Sequence, residues 1–261
     1  MIRSHQNEIN ALPRGELPIN DSSALCVRQT TIVMATDGGA IRTVITGRKR
    51  GMVSVLPSYK TGRPQPAESW GEAQLIRESE ADTDVVDYQA QPHRLEYINS
   101  AGDRITYIPD MARKLEDGTV EVIEVKACYL VGKRPSYDLK LATAATIYDQ
   151  LGWRFRIVRR RDLKARPEWS ANCRAVAQAG TTHVTSGEII TVENILARAG
   201  GSMTLEELSN CLGPKPLALK KLLALHVRRV ISIDLNARFS KGTMVQFAKP
   251  SAHKLHQEFS L

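Results

Sequence analysis

The sequence predicts an α/β core followed by a smaller helical domain that carries a β-hairpin, and three observations lead there. The run "TVEVIEVK" (residues 119–126) is apolar and short enough to be a buried strand. It is followed by the helical pattern "RPSYDLKLATAATIYDQLG" and the alternating "WRFRIV", and a crossover of that length joins two parallel neighbours right-handedly. Beyond about Asn172 the pattern changes to "TVENILARAGG", "TLEELSNCLG" and "KPLALKKLLALHVRRV", three short helices, and then to the hairpin "ISIDLNARFSKGTMVQFA" with "SKG" at its tip. Three helices followed by a two-stranded wing is the layout of a winged helix.

The elements can be justified in chain order. "CVRQTTIVM" and "IRTVITGRK" have the β-branched content of strands. "RKRGMVSVLPSYKTGRPQP" reads as a basic loop broken by Gly and Pro. Ser69 to Glu80 is a short helix with Trp70, Ala73 and Ile76 at helical spacing. "DVVDYQ", "HRLEYIN" and "RITYIPDMARKL" are strand-like, the last two joined by the turn "SAGD". Asp117-Gly118 then turns the chain into "TVEVIEVK", the expected centre of a mixed sheet. In the following helix Ser136 is the expected cap, Leu141, Ala144, Ala145, Tyr148 and Leu151 form the apolar stripe, and Gly152 closes it. Trp153, Phe155 and Ile157 face inward on the next strand. The expected divisions are 1–54, a partly β extension; 55–171, the core; 172–250, the winged-helix-like domain; and 251–261, a tail.

At 261 residues, 42% hydrophobic and 25% charged, the chain is long enough for two folded domains. It has no apolar run long enough to span a membrane and no secretory h-region. Four scattered cysteines without a CxxC pair suit a reducing cytoplasm. The net charge of +8 is unevenly spread. Residues 67–126 hold 14 acidic against 6 basic side chains, whereas residues 127–166 hold 10 basic against 3 acidic. An acidic island between basic segments suits a protein that brings a polyanion to a carboxylate cluster.

Side chains two apart on a strand share a face, so Glu124 and Lys126 point the same way. Ionised groups on a buried strand are costly unless a metal, counter-charge or substrate compensates them. If Asp110 ends the preceding strand of the hairpin, its carboxylate comes close to that of Glu124, and two such oxygen ligands suit Mg²⁺ or Mn²⁺. At that spacing the alternative is a simple salt bridge of Lys126 with a neighbouring carboxylate. A further acid on the preceding helix is Glu72, with Glu68 and Glu78 as competitors. Ser69-x-x-Glu72 is also a capping-box pattern, which would fold Glu72 back on the backbone.

Pro109-Asp110, the turn, Glu124-x-Lys126 and the helix–strand that follows resemble the PD-(D/E)xK, restriction-endonuclease-like nuclease core. More specifically, Ser58/Lys60, Glu68/Ser69/Glu72, Gln91/Pro92, Tyr107/Pro109/Asp110 and Glu124/Val125/Lys126, in that order over residues 55 to 163, resemble the TnsA-type endonuclease subunit of heteromeric bacterial transposases. The resemblance implies a metal-dependent endonuclease that cuts the 5′ ends of the element. It implies Glu72, Asp110, Glu124 and Lys126 as catalytic residues, and Glu72, Asp110, Glu124 and Val125 as the holders of Mg²⁺ (or Mn²⁺). The partners it implies are double-stranded DNA at transposon ends, a DDE-type transposase subunit and an AAA-type ATPase regulator, with no membrane. The expected DNA contacts are Lys60 and Arg63 in the basic loop, Lys133 and Arg134 before the central helix, and Lys220, Lys221, Arg228 and Arg229 on the third helix of the second domain. His226 on that helix is expected to be incidental. A non-catalytic DNA-binding or recruitment factor, and a resolvase or restriction-type nuclease, are the alternatives on the same core.

Overall fold

The computed structural model describes residues 16–17, 27–41, 53–126 and 135–248. In chain order the elements are β1 (Glu16–Leu17), β2 (Arg28–Met34), β3 (Ser54–Leu56), β4 (Gln65–Ala67), α1 (Trp70–Ala81), β5 (Val85–Ala90), β6 (His93–Ile98), β7 (Arg104–Tyr107), β8 (Met111–Leu115) and β9 (Val120–Lys126). They continue as α2 (Pro135–Gln150), β10 (Arg154–Arg159), α3 (Arg160–Lys164), α4 (Pro167–Ala179), α5 (Ser186–Arg198), β11 (Ser202–Thr204), α6 (Leu205–Asn210), α7 (Leu217–Val227), β12 (Ile231–Ile233) and β13 (Met244–Phe247). The expected strand "IRTVITGRK" and the basic pair Lys133 and Arg134 fall almost wholly or wholly outside the described residues. No helix among the described residues is long and apolar enough to cross a membrane.

The chain divides into two compact units, each built from separated stretches. The first comprises residues 1–55, 65–73 and 87–162, and the second residues 56–64, 74–86 and 163–261.

In the first unit β9 lies second in a mixed sheet of order β10-β9-β8-β5. It is parallel to β10, with Ile157 level with Glu124, and antiparallel to β8, with Met111 opposite Ile123. The hairpin turn that sets this register is closed by the Leu115 N–H donating to the Thr119 carbonyl at 2.9 Å. Gly118 sits there at φ +85°, a conformation that favours glycine. A second sheet, β1-β2-β6-β7, is antiparallel.

"RITYIPDMARKL", which reads as one strand, is two strands in two sheets. β7 pairs with β6, β8 pairs with β9, and Ile108-Pro109-Asp110 makes the crossing. Pro109 has no N–H to give to a ladder, so the strand ends there and the chain changes sheet. Helix α2 starts with Pro135 at its first helical position, so Ser136 lies within the first turn rather than capping it. It ends as expected: Gly152 is at φ +72°, and the Trp153 N–H reaches back to the Tyr148 carbonyl at 2.8 Å. Leu141, Ala144, Ile147 and Tyr148 of α2 are buried in one cluster with Leu95, Tyr97, Tyr107, Ala112 and Val122, while Trp153 and Phe155 pack against its margin. Ile157, expected inside, is 46% exposed. It stands on the edge strand, at the same level as Glu124.

The opposite face of β9 carries Glu121, which is 1% exposed. Its carboxylate accepts from Arg113 Nε at 2.5 Å and Arg156 Nη1 at 3.1 Å, with Arg154 at 3.8 Å. Removing Glu121 strands the buried guanidinium of Arg113, whose side chain is 11% exposed. Glu121→Ala is therefore expected to lower unfolding stability by about 3 kcal/mol, read from urea denaturation.

The second unit has a core of α4, α5, α6, α7, β12 and β13 side chains, including Cys173, Val176, Val192, Leu196, Leu208, Leu222, Leu225 and Ile231. Its sheet runs β11-β13-β12. Helix α4 and strand β11 were not anticipated. Helix α5 begins at Ser186, five residues before the expected start, because Thr185 and Glu188 form a capping box; Thr204 and Glu207 do the same for α6. His226 is not incidental. It is 3% exposed, its Nε2–H donates to the Ala81 carbonyl at 2.7 Å, and its Nδ1 accepts from the Ile233 N–H at 3.0 Å. That pattern fixes a neutral tautomer, and burial pushes its pKa down to about 4.

Candidate functional site

The pairing of Met111 with Ile123, continued by one residue, sets Asp110 across from Glu124. Asp110 itself lies just before β8, and its carbonyl accepts from the Gln91 N–H at 2.9 Å. Gln91 holds a left-handed backbone at φ +47° and is 1% exposed, and its side-chain amide donates to Glu68 Oε1 at 3.2 Å. The Asp110 carboxylate is tied to β9 directly, since its Oδ2 accepts from the Val125 N–H at 2.7 Å. A hairpin of this length therefore does what the sequence spacing required of it: both acids come to one end of the central strand.

Glu124 is 5% exposed and is held from two sides. Tyr107, at the end of β7, donates its hydroxyl to Oε2 at 2.7 Å. Lys126 Nζ donates to Oε1 at 2.5 Å, and Tyr137, in the first turn of α2, donates to the same oxygen at 2.8 Å. Lys126 Nζ also donates to the Tyr137 hydroxyl at 2.6 Å and sits 4.0 Å from the centre of its ring. Burial and the Glu124 carboxylate push both phenols well above the usual tyrosine range, so each remains a neutral donor.

Asp110 is held less fully: among the described residues the bond to its carboxylate comes from the Val125 N–H. Burial, the Glu124 carboxylate and the Glu72 carboxylate raise its pKa well above that of an ordinary aspartate, against the opposing Val125 N–H and Lys126. Among the described residues, the end of β9 thus sets two carboxyl groups beside one ammonium, an arrangement that disfavours ionising both. On the opposite face of the same strand three guanidinium groups surround Glu121; here one ammonium serves two carboxylates.

Glu72 folds back on its own helix. The Glu72 N–H donates to Ser69 Oγ at 3.2 Å, and its carboxylate accepts from the Ser69 hydroxyl and the Glu68 N–H, both at 2.8 Å. The side chain thus folds back on the start of the helix as a cap does, with the Glu68 N–H where a capping box would use that of Ser69, and its charge still acts on Asp110. Among the described residues, no group of three or more His, Cys, Asp or Glu side chains is placed to hold a metal ion. The oxygens available are those of the Asp110–Glu124 pair and the Val125 carbonyl, a hard donor set whose unbalanced charge suits a divalent cation.

Several of the basic candidates, namely Lys60, Lys221, Arg228 and Arg229, have internal partners. In the second unit Ser58 Oγ and the Tyr59 N–H donate to Glu80 at 2.7 and 2.8 Å, and Lys60 Nζ donates to the Ser79 and Asp82 carbonyls at 2.9 and 2.5 Å. Lys60 therefore caps the far end of α1. Arg63 follows in the same loop, its N–H held by Thr61 Oγ1. Seven of the eleven residues of α7 are buried. Lys221 pairs with Glu188, Arg228 donates to the Thr182 carbonyl at 2.6 Å and stacks over Tyr59, and Arg229 donates to the Thr83 carbonyl at 2.7 Å. Lys220 is the exposed cation of that helix.

Tyr137 and the hydroxyl role of Tyr107 were not anticipated. Tyr107 carried a signal, standing three residues before Asp110 at the end of a strand. Tyr137 carried none, because its position depends on the path from β9 to α2.

Residues 82–160 match the family model described as TnsA-like endonuclease N terminal. The match contains Asp110, Glu124, Lys126 and Tyr137, while Ser58, Lys60, Glu68 and Glu72 of the resembling pattern lie before it. No curated protein matches the chain.

Proposed function

With a TnsA-like endonuclease domain as the frame of this carboxylate pair, we propose that the protein is a Mg²⁺-dependent DNA endonuclease of a transposition complex, cutting the 5′ ends of the element by phosphodiester hydrolysis. The observation that carries this reading is Asp110, set across from Glu124, with its pKa raised by burial and by the carboxylates of Glu124 and Glu72. That is a site whose charge is balanced when a cation joins it.

Asp110, Glu124 and the Val125 carbonyl would hold the ion, with Glu72 able to join them if it leaves its cap. Bound Mg²⁺, or Mn²⁺ in its stead, supplies Lewis-acid polarisation of a phosphate oxygen and acidifies a water. The chain's own residues do the rest. Asp110 is fixed by the Val125 N–H, and Glu124 by Tyr107 and Tyr137. Lys126 offers its remaining ammonium N–H to the phosphate as charge develops there. In the reaction a water oxygen bonds to phosphorus, the ester P–O bond breaks, and the water gives up its proton while the leaving oxygen takes one.

From α5 onward the second unit runs helix, strand, two helices and a hairpin, with sheet order β11-β13-β12, which supports a winged-helix reading. Burial of α7 and the internal partners of Lys221, Arg228 and Arg229 favour docking of a protein partner over reading of a major groove. A DDE-type transposase subunit and an AAA-type ATPase regulator are the proposed partners, and double-stranded DNA at the element's ends is the substrate.

The reading predicts nicking of element-end DNA, in the presence of those partners, with Mg²⁺ or Mn²⁺ and none in EDTA. Cleavage that persists at native rate in EDTA would remove the metal-dependent hydrolysis from consideration.

A further inference from the structure

We propose that Tyr137 is a positioning residue for Lys126, holding its ammonium beside the scissile phosphate when Glu124 is engaged by the cation. This rests on the nuclease reading above and extends it to a residue outside the acid–acid–lysine set.

The geometry is a closed triangle. Lys126 Nζ donates both to Glu124 Oε1 at 2.5 Å and to the Tyr137 hydroxyl at 2.6 Å, and that hydroxyl gives its single proton to the same Oε1 at 2.8 Å. A phenol has one proton and two acceptor sites, so both bonds of Tyr137 can be made at once. The Tyr137 ring adds a second hold, with the ammonium 4.0 Å from its centre. Lys126 is a point charge on a flexible four-carbon stem. In the cation-free protein Glu124 and Tyr137 hold it jointly, so loss of either loosens it. Once the Glu124 oxygens are engaged elsewhere, the stem would relax unless a second acceptor retained it. Tyr137 is that acceptor. It is also independent of β9, because it comes from the first turn of α2. Tyr107 does the matching service for the other oxygen of Glu124, at 2.7 Å, but makes no bond to Lys126 among the described residues.

The test compares Tyr137→Phe, which keeps the ring, with Tyr137→Ala and with Asp110→Ala as a reference for the nuclease itself. Tyr137→Phe is expected to lower kcat about 10-fold with KM for DNA unchanged, as for the loss of one charge-assisted hydrogen bond; Tyr137→Ala is expected to lower it further. A readout independent of cutting is amine labelling in the metal-free protein, followed by mass spectrometry. Lys126 should label about threefold faster or more in Tyr137→Phe than in the native chain, with Lys220 as an unchanged reference. Native kcat, a rise confined to KM, or native labelling of Lys126 would each overturn the inference. In a sample that does not cut, labelling alone decides. If Asp110→Ala cuts as fast as the native chain, the nuclease reading falls, and the labelling result still stands or falls by itself.

Discussion

Asp110→Ala and Lys126→Ala are expected to reduce cleavage of element-end DNA by at least about 100-fold, with retention of the same DNA nearly intact. On the proposed reading Asp110 holds the ion and Lys126 faces the reacting phosphate, and neither contributes much of the binding surface. Gel-shift and nicking assays on the same preparations separate the effects, and unchanged cutting in both variants would dismiss the site. Asp110→Asn adds a second, opposite expectation. Asparagine keeps the acceptor for the Val125 N–H but removes a charge that burial, Glu124 and Glu72 all disfavour. The variant should therefore be inactive and yet more heat-stable than the native chain, gaining about 2–4 °C in Tm for each kcal/mol relieved. A neutral variant that melts lower than the native protein would show that the acid is already compensated.

The second large effect is acid lability rooted in two buried histidines. Burial holds His226 down at about 4 and His93 at about 3, whereas either imidazole charges near 6.5 once the chain unfolds. The folded pKa is depressed in both cases, so their stabilising contribution is complete above pH 6.5 and is lost as pH falls through the folded values. For His226 the loss between pH 6.5 and 4 amounts to about 3 kcal/mol. His226→Leu leaves the Ala81 carbonyl and the Ile233 N–H without their partner and should cost about 3 kcal/mol at pH 7.5. Near pH 4 the native protein no longer benefits from the neutral ring, and the two chains should converge. Urea melts at both pH values read this directly, and a gap that stays constant would contradict the assignment.

How far the sequence leads is clear from particular elements. The hairpin of β8 and β9 was legible because Asp117-Gly118 fixes its turn, and with the turn fixed, period two fixes which acid faces which. The end of α2 was legible because Gly152 is a local stop. The family match over residues 82–160 agrees with the resemblance drawn from Asp110, Glu124 and Lys126. What could not be read is tertiary. Nothing in "RITYIPDMARKL" other than Pro109 marks a change of sheet, and a proline after Tyr107 suits an edge strand equally well. Ile157 alternates correctly and is nonetheless exposed, since alternation tells the face of a strand and not what covers it. Glu72 was written as both cap and catalyst, and only its hydrogen bonds distinguish the two. Other signals were present and unused. Thr185-x-x-Glu188 announces the start of α5, and Pro167 with Trp169, Cys173 and Val176 marks an amphipathic helix that became α4.

The interleaving of the two units has a consequence for how the protein is made. Residues 56–64 and 74–86 leave the ribosome well ahead of the segment that gives Ala81 its core neighbours, and the Ala81 carbonyl precedes its donor, His226, by 145 residues. During synthesis those early stretches have to wait, apolar faces uncovered, until α7 emerges. A message truncated near codon 165 would yield a chain with orphaned pieces of a second core, so the first unit cannot be obtained simply by cutting the gene in two.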